Sequence, residues 1–342
     1  MLTRSSRLFP PLQATCLRAV PHVQKLSTAV RVEDDEQSGV KVLTLDRPDS
    51  LNAMTVEMGD AVQASVAQLS QLPPSELRAL VITGAGRAFS AGGDMRFLHE
   101  RRQATPTDNA DVMLNFYKRF LSIRSLPVPV ICCVNGPAIG AGACFAMAAD
   151  VRFTHAAAKH LACNPMHPTC NLMCPGALHA CRRQDRLHLC RSRPPPRDGC
   201  DALAACCRGA AGARTDPRHP PAPPSCPPRR PPAAHHQVAA RLLLSGDLLS
   251  GTDAAAAGLV AASLPDGKAA MTEALALARR VAMQSPLAVR ATLRTLRQRA
   301  DADLERALMR EADAQAQSYA SADYAEGLAA VRAKRTPSFD GT

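Results

Sequence analysis

Two glycine-rich loops carry the residues that could do chemistry in this chain of 342 residues. They are GAGRAFSAGGD at 84–94 and NGPAIGAGA at 135–143, and each follows an apolar run and precedes a helix-like segment. Backbone N–H groups at the start of a helix have no partner within the helix and lie at the positive end of its dipole. Two such donors aimed at one point would stabilise negative charge that develops on a substrate oxygen.

Neither glycine-rich loop indicates a site by itself. Taken alone, each loop is better interpreted as an ordinary turn of an α/β protein. A dinucleotide-binding loop requires the pattern G-x-G-x-x-G, but its last position is Phe89 in the first loop and Phe145 in the second. The dinucleotide interpretation is therefore excluded, and only the pair of loops, with its order and flanking residues, indicates a site.

The elements that must position the loops alternate between strand and helix patterns. Apolar or alternating runs predict strands at 39–46, 77–86, 130–136 and 151–156. Apolar residues at helical spacing follow Thr55, a plausible N-cap, and further helices are predicted at 95–103, 111–126 and 140–150. The last third predicts helices at 237–246, 252–260, 266–284, 286–319 and 323–335. This alternation indicates an α/β domain with a helical C-terminal region.

Five segments of the chain resemble the enoyl-CoA hydratase/isomerase (crotonase) superfamily, in the order in which its members carry them. They are LTLDRPDSLNAM at 43–54, GRAFSAGGDMRFL at 86–98, PVPVICCVNGPAIGAGA at 127–143, AAAAGLV at 254–260 and SADYAEGLAAVRAKRTPSF at 321–339. The resemblance implies an α/β fold with a crotonase-like core of repeated ββα units and a C-terminal helical region. The core would consist of residues 32–159 and 237–342.

The same resemblance implies a binding site for an acyl-CoA thioester. It places the two oxyanion-hole donors at the backbone amides of Ala91 and Ala141. Further substrate-binding positions that it implies are Ser90, Gly92, Gly93, Asp94 and Gly140. The early loop that lies near the CoA moiety in the family corresponds to Arg47, Leu51, Asn52 and Ala53.

The chain departs from the family pattern at the acid–base residues. Hydratases of the family use two glutamates, and the position of the first is occupied here by Cys144. The second is expected just after 151–156, in a stretch without any Glu. A thiol on the apolar side of a helix is usually a small core residue. Asp94 is the nearest acidic candidate for proton transfer, although a helix N-cap accounts for it better, and His155 at a strand end is more simply structural.

The excess of positive charge comes from two unusual segments, so the net charge of +11 does not indicate a nucleic-acid-binding face. Residues 1–31 contain five Lys and Arg and no acidic residue. This composition is typical of a mitochondrial or chloroplast transit peptide, with a disordered basic tail as the alternative. No apolar run reaches the roughly 18 residues that a membrane span needs.

The second unusual segment, residues 160–236, is anomalous and predicted to be irregular. It holds eleven Arg, fifteen of the 28 Pro and nine of the 13 Cys. A zinc module would need Cys-x2-Cys pairs that are absent, and a disordered insert does not account for the cysteines. The favoured hypothesis is out-of-frame or unspliced GC-rich sequence, which predicts a frame shift or retained intron bounded near residues 160 and 236.

Together these features predict an enzyme that stabilises a CoA-thioester enolate in fatty-acid or amino-acid catabolism. The reaction would be hydration of a 2-enoyl-CoA or isomerisation of an enoyl-CoA, and the absence of Glu at position 144 favours the isomerase or another specialised activity. The sequence leaves two alternatives open: a family member that binds acyl-CoA without turnover, and an inactive product of a faulty transcript.

The expected partners follow from the same resemblance. No cofactor or metal is expected besides the coenzyme A that forms part of the substrate, and neither nucleic acid nor a membrane is an expected partner. The resemblance implies a homotrimer or a homohexamer. The basic leader implies the mitochondrial matrix, with the plastid as the alternative.

Overall fold

The described residues form nine strands that alternate with helices. The computed structural model describes residues 29–36, 39–161 and 232–342. In chain order the strands are β1 (Val30–Asp34), β2 (Val40–Leu45), β3 (Ala79–Gly84), β4 (Val130–Val134), β5 (Ala138–Ile139), β6 (Val151–His155), β7 (Lys159–Leu161), β8 (Leu249–Ser250) and β9 (Ala262–Leu264). The four predicted strands are present, with bounds within two residues of those expected.

The α-helices flank the strands and make up most of the last third. They are α1 (Val56–Ser70), α2 (Met95–Arg101), α3 (Pro106–Leu121), α4 (Ala141–Ala148), α5 (Pro232–Ser245), α6 (Gly251–Ala256), α7 (Gly267–Ala282), α8 (Pro286–Ala300), α9 (Leu304–Ala320) and α10 (Ala322–Ala333). Short 3-10 helices cover Pro48–Ser50 and Ser122–Ser125. In the part of the chain that the structure describes, no helix combines the length and the apolar character needed to cross a membrane.

Two sheets organise these elements. The larger has the strand order β1-β2-β3-β4-β6-β9, in which β1 and β2 are antiparallel and every other neighbouring pair is parallel. The smaller has the order β5-β7-β8, and β5 pairs in parallel with β7 through Ala138 and Ile139. The succession β4, β5, α4 gives one ββα unit of the expected kind, so the predicted mixed α/β fold is confirmed.

Both faces of the central strands of the larger sheet are buried. Alternate residues of β3, such as Leu80 and Ile82, belong to the larger apolar core, to which α1, α3 and α9 also contribute. Their neighbours Ala79 and Val81 belong to a second core that is closed by α7. The contacting face of α7 is made of alanines four residues apart, which allow the helix to lie close to the sheet. The strands therefore read as continuous apolar runs, as expected of a parallel sheet covered on both sides.

Local capping chemistry explains where α1 begins. The Thr55 hydroxyl accepts a hydrogen bond from the Met58 N–H, as the sequence predicted for an N-cap. The predicted apolar positions Met58, Val62, Val66 and Leu69 are all buried. This helix follows directly from the early loop, so its first turn fixes one side of the candidate site.

Several predicted boundaries are wrong. The helix expected at 286–319 is interrupted at 301–303, where Asp301 ends α8 and binds the Arg124 side chain across 2.8 Å. The helix expected at 111–126 begins earlier, at Pro106, behind the N-cap Thr105. Strand β1 starts at Val30, inside the range 1–31 given to the leader. Strand β7 and helix α5 likewise extend across the expected borders at 160 and 236.

Residues 1–28 and 162–231 lie outside the described residues. The leader hypothesis and most of the anomalous segment fall in these ranges, so both stay predictions.

Helices from the last third are fastened to the first part of the chain by charged contacts. Arg279 makes a bidentate ion pair with Asp35, with distances of 2.8 and 2.7 Å. The buried Arg297 pairs with Asp150 across 2.9 and 2.6 Å and also donates to the carbonyls of Arg124, Leu126 and Val128. The guanidinium group thereby satisfies carbonyl groups that the end of a helix and a turn leave unpaired.

Candidate functional site

Three backbone segments lie side by side near the carboxyl ends of parallel strands. The early loop follows β2, the first glycine-rich loop follows β3 and the second follows β4. Met54 forms a parallel bridge with Gly93, and Ser90 forms another with Ala138. The middle segment, residues 90–94, is therefore paired on both sides. Ligands of α/β sheets commonly bind at this end of the strands.

A cavity of about 820 Å³ opens at these segments. Its lining includes Ala91, Gly92 and Gly93 from the first loop and Ile139 and Gly140 from the second. The early loop and the starts of α1 and α2 complete the lining with Arg47, Ser50, Ala53, Thr55, Val56, Glu57, Asp94, Met95, Arg96, Phe97 and Glu100. The cavity thus brings together most of the positions that the sequence predicted to bind substrate.

Asn52 holds the early loop in its shape. Its side chain is fully buried, accepts a hydrogen bond from the Arg47 N–H and donates to the carbonyls of Ala85 and Ala88, each across 2.9 Å. Leu51 and Asn52 both have φ of 54°, in the left-handed region that few residues other than glycine adopt. The Asn52 contacts therefore stabilise a strained turn that sets the register against residues 90–94.

The register of the early loop against residues 90–94 decides which backbone N–H groups of the first glycine-rich loop are free. The Ala91 N–H donates to the Leu51 carbonyl across 2.9 Å, and the Asp94 N–H donates to the Met54 carbonyl across 3.0 Å. The Gly92 N–H donates to the Ser90 hydroxyl across 3.1 Å. Among the described residues, no group accepts a hydrogen bond from the Gly93 N–H.

The structure therefore corrects the predicted donor in the first loop. The expectation that the Ala91 amide is unpaired is wrong, because Leu51 already occupies it. In the parallel bridge between Met54 and Gly93, the hydrogen bonds to Met54 are made by the Gly92 carbonyl and the Asp94 N–H. The Gly93 N–H therefore points away from Met54, to the opposite side of the segment. That side is the one on which the second glycine-rich loop lies.

The second loop presents amides because α4 starts there. Ala141 is the first residue of α4, after Gly140 with φ of 54°, so its N–H has no acceptor within the helix. No other acceptor for it is present in residues 29–36, 39–161 or 232–342. The first-turn position predicted for Ala141 is thus confirmed.

Two glycines allow the loops to approach each other. A Cβ atom on Gly92, which has φ of 92°, would lie 2.6 Å from the Ile139 carbonyl oxygen and 3.6 Å from the Ala141 nitrogen. A Cβ atom on Gly142 would lie 2.6 Å from the Cβ atom of Ser90. Any larger residue at Gly92 would force the two loops apart, so this glycine sets the spacing between the Gly93 and Ala141 amides.

Asp94 acts as a helix N-cap in the structure. One carboxylate oxygen accepts hydrogen bonds from the Arg96 N–H across 2.9 Å and from the Phe97 N–H across 3.3 Å. The capping role that the sequence favoured is therefore confirmed, and α2 starts directly behind the free Gly93 amide.

Cys144 and the two nearby histidines lie away from the cavity lining. Cys144 is 1% exposed and packs in the larger apolar core. His160 in β7 shares a hydrogen bond of 2.8 Å with the Thr154 hydroxyl, and His155 is half-buried at the end of β6. Burial, and to a lesser degree the neighbouring His155, lowers the pKa of His160 to about 4. This imidazole is neutral at physiological pH and supports the small sheet behind Ala141.

No cluster of three or more His, Cys, Asp or Glu side chains suited to a metal ion occurs within the described ranges. The cavity lining offers backbone amides, carboxylates and arginines.

Comparison with known proteins gives a consistent family. A family model for enoyl-CoA hydratase/isomerase matches residues 35–167 and 227–342. The 1,2-epoxyphenylacetyl-CoA isomerase of Escherichia coli is 37% identical over 128 residues, which are 36% of this chain and 47% of that protein. A Thermus thermophilus protein provisionally named enoyl-CoA hydratase is 28% identical over 304 residues, which are 89% of this chain and 98% of the other. For several curated relatives the chain spans less than half of their own length.

A solved structure of an enoyl-CoA hydratase/isomerase from Mycobacterium paratuberculosis has a similar fold. Its TM-score is 0.60 at 25% identity, and the superposition covers 90% of this chain and 99% of that one.

Proposed function

The chain belongs to the enoyl-CoA hydratase/isomerase family, and we propose that it binds an acyl-CoA thioester in the cavity described above. In this proposal the thioester carbonyl oxygen lies between the N–H groups of Gly93 and Ala141. The observation that carries the proposal is the Gly93 amide, which has no acceptor among the described residues although its neighbours Gly92 and Asp94 are both paired.

The two amides supply the chemistry that an enolate needs. Removal of a proton from C2 of the acyl group moves negative charge onto the thioester oxygen. Fixed donors that already point at this oxygen stabilise the charge without having to reorganise, and one such donor typically contributes about 100- to 1,000-fold in rate. The Ala141 amide has in addition the positive end of the α4 dipole behind it.

The CoA moiety extends in this proposal along the early loop. Arg47 and Arg96 line the cavity and provide positive charge for phosphate groups. Ser50 and Ala53 also line the cavity. Coenzyme A is thereby part of the substrate, and the proposed reaction uses no separate cofactor.

We propose isomerisation of a 3-enoyl thioester to a 2-enoyl thioester rather than hydration. Hydration requires groups that position a water molecule and move protons to both carbons, and the family's first glutamate position holds the buried thiol of Cys144. Isomerisation needs one base that moves a single proton along the chain. The E. coli relative is named as an isomerase of another CoA thioester, 1,2-epoxyphenylacetyl-CoA.

The test uses the purified full-length chain with crotonyl-CoA and with a 3-enoyl-CoA, while the absorbance of the conjugated thioester is followed. We expect turnover of the 3-enoyl substrate. Ala141→Pro removes one donor but keeps α4, since proline is tolerated at the first helical position. We expect it to lower kcat/KM about 100- to 1,000-fold with unchanged helix content. Turnover of crotonyl-CoA alone would favour hydration, and no turnover by a folded protein would favour a binding protein.

Assembly is proposed to be a homotrimer or a homohexamer. Leu287, Leu296 and Met309 on α8 and α9 are exposed apolar residues, which supports contact between copies. Light scattering coupled to size exclusion measures the mass directly, and a monomer at micromolar concentration would contradict this proposal.

The proposed location is the mitochondrial matrix, with the plastid as the alternative, on the basis of the basic and acid-free residues 1–31. Fusion of these residues to a fluorescent protein tests it, and diffuse cytosolic fluorescence would contradict it.

A further inference from the structure

Three carboxylates line the described part of the cavity: Glu57, Asp94 and Glu100. A reaction that moves a proton between carbon atoms needs a base within reach of the substrate. The two amides proposed above stabilise charge but cannot accept a proton, so the base has to come from a side chain.

Two of the three carboxylates are already engaged by backbone groups. Asp94 accepts the Arg96 and Phe97 N–H groups and caps α2. Glu57 lies in the first turn of α1, where a hydrogen bond from its own backbone N–H and another from the Thr55 side chain lower its pKa. Asp94 is therefore occupied as a helix cap, and Glu57 is a poor base because its contacts favour the ionised form.

Glu100 is different. Among the described residues, no group donates a hydrogen bond to its carboxylate and no cation pairs with it. It lies three and four residues after Phe97 and Arg96, so the three share one face of α2, and all of them line the cavity.

The geometry of α2 brings Glu100 toward the free amide. Glu100 lies six residues after Asp94, a rise of about 9 Å along the helix axis. Side chains on a helix tilt toward its N-terminus, so the carboxylate reaches back toward Gly93 by several ångströms. Gly93, Phe97 and Glu100 line the same cavity, so an acyl chain bound there at the Gly93 amide can come within reach of this carboxylate.

Resting on the isomerase function proposed above, we propose that Glu100 is the catalytic residue that transfers the proton. Its carboxylate removes a proton from C2 of the 3-enoyl thioester, and the electrons of the C2–H bond move through C1 onto the thioester oxygen. The protonated Glu100 then returns the proton to C4, while the double bond moves from C3–C4 to C2–C3. One C–H bond breaks and one forms, and no other reactant is consumed.

The experiment compares three variants of the full-length chain. Glu100→Gln removes the base, Asp94→Asn keeps an N-cap but removes the competing carboxylate, and Glu76→Gln is a matched change at an exposed site outside the cavity. We expect Glu100→Gln to lower kcat about 100- to 10,000-fold with KM within about threefold of the wild type. Glu100→Asp should restore part of kcat, and Glu76→Gln should change neither constant.

A labelled substrate adds a second readout. With deuterium at C2, one carboxylate that serves both carbons should deliver part of the label to C4 of the product, and Glu100→Gln should abolish that transfer. Turnover by Glu100→Gln within threefold of the wild type overturns this assignment. So does a result in which Asp94→Asn loses turnover and Glu100→Gln keeps it. If the wild type turns over and Ala141→Pro does not, while Glu100→Gln stays active, the proposed function stands and only Glu100 is wrong. No turnover by the wild type would overturn both.

Discussion

The two glycine-rich loops present a free backbone N–H by different physical means. In the second loop the start of α4 leaves the Ala141 amide without an intrahelical acceptor. In the first loop, pairing with the early loop uses the amides of Ala91 and Asp94 and passes over Gly93. The second donor is thus a local property of a helix, whereas the first exists only when two distant segments are in register.

This difference makes the loops vulnerable to different changes. The first loop depends on the Asn52 contacts that hold the early loop in its left-handed turn. The second depends on α4 and on the small sheet in which β5 pairs with β7. Changes in each support should therefore disturb one donor while leaving the other in place.

Among changes to the spacing and support of the loops, the largest effect is expected at Gly92, where the loops meet. Gly92→Ala places a Cβ atom 2.6 Å from the Ile139 carbonyl oxygen at a residue with φ of 92°. We expect kcat/KM to fall about 100-fold, since separating the donors from the oxygen by a fraction of an ångström to one ångström costs that much.

The matched control for this change is Gly93→Ala. Its Cβ atom would meet only the Leu98 side chain, at 3.4 Å, and the donor N–H is kept. The two variants should differ strongly in kcat/KM under the same assay. Equal activities would show that the spacing of the loops does not limit the reaction.

The next largest effect is expected at Asn52, which supports only the first loop by holding the early loop in register with residues 90–94. Asn52→Ala removes the three hydrogen bonds of a buried side chain, and we expect a loss of about 2–4 kcal/mol in the free energy of unfolding, measured by urea denaturation. Asn52→Gly loses the same bonds but accepts φ of 54° readily, so it should be more stable than the alanine variant by about 0.5–1 kcal/mol. If alanine and glycine prove equally stable, the turn is not strained.

The smallest effect is a loss of folding stability in acid, which arises at His160 in the small sheet that supports the second loop. The pKa of His160 is about 4 in the folded chain, against 6.5 for the free side chain. Between these values the unfolded chain binds a proton that the folded chain does not, so stability is full above pH 6.5 and declines as the pH falls toward 4. The loss is at most about 3 kcal/mol.

His160→Gln tests this prediction, because an amide can still bond to the Thr154 hydroxyl but does not titrate. Urea denaturation at pH 7.5 and pH 5 should show a smaller difference for the variant than for the wild type. The protection factor against hydrogen exchange should also fall in acid more at Ile139 than at Ala91. Equal falls at both amides would mean that the loops open together.

Features with a local cause could be predicted from the sequence. Thr55 and Asp94 were identified as helix caps because capping depends on residues three positions apart. Ala141 was placed at the first turn of a helix for the same reason. The strands could be predicted because strands of a parallel sheet that is buried on both sides appear in the sequence as continuous apolar runs.

Features with a distant cause could not be predicted in this way. The Ala91 amide was expected to be free, but its partner Leu51 lies forty residues earlier, in a turn whose shape no local rule gives. The break at 301–303 was missed because helical spacing continues through it, while its cause is the Arg124 side chain. Glu100 gave no signal at all, since an exposed Glu on a short helix is common. The family match also breaks between residues 167 and 227, within the segment that the sequence marks as anomalous.

The ion pairs that join Arg279 to Asp35 and Arg297 to Asp150 have a practical consequence. They connect residues 244 and 147 positions apart in the chain, so the two described parts hold each other without relying on the peptide bonds between them. The protein should therefore tolerate being made as two separate polypeptides, one ending near residue 161 and the other starting near 232. Co-expression of such fragments, each with its own affinity tag, would turn this fold into a complementation pair whose recovery reports assembly.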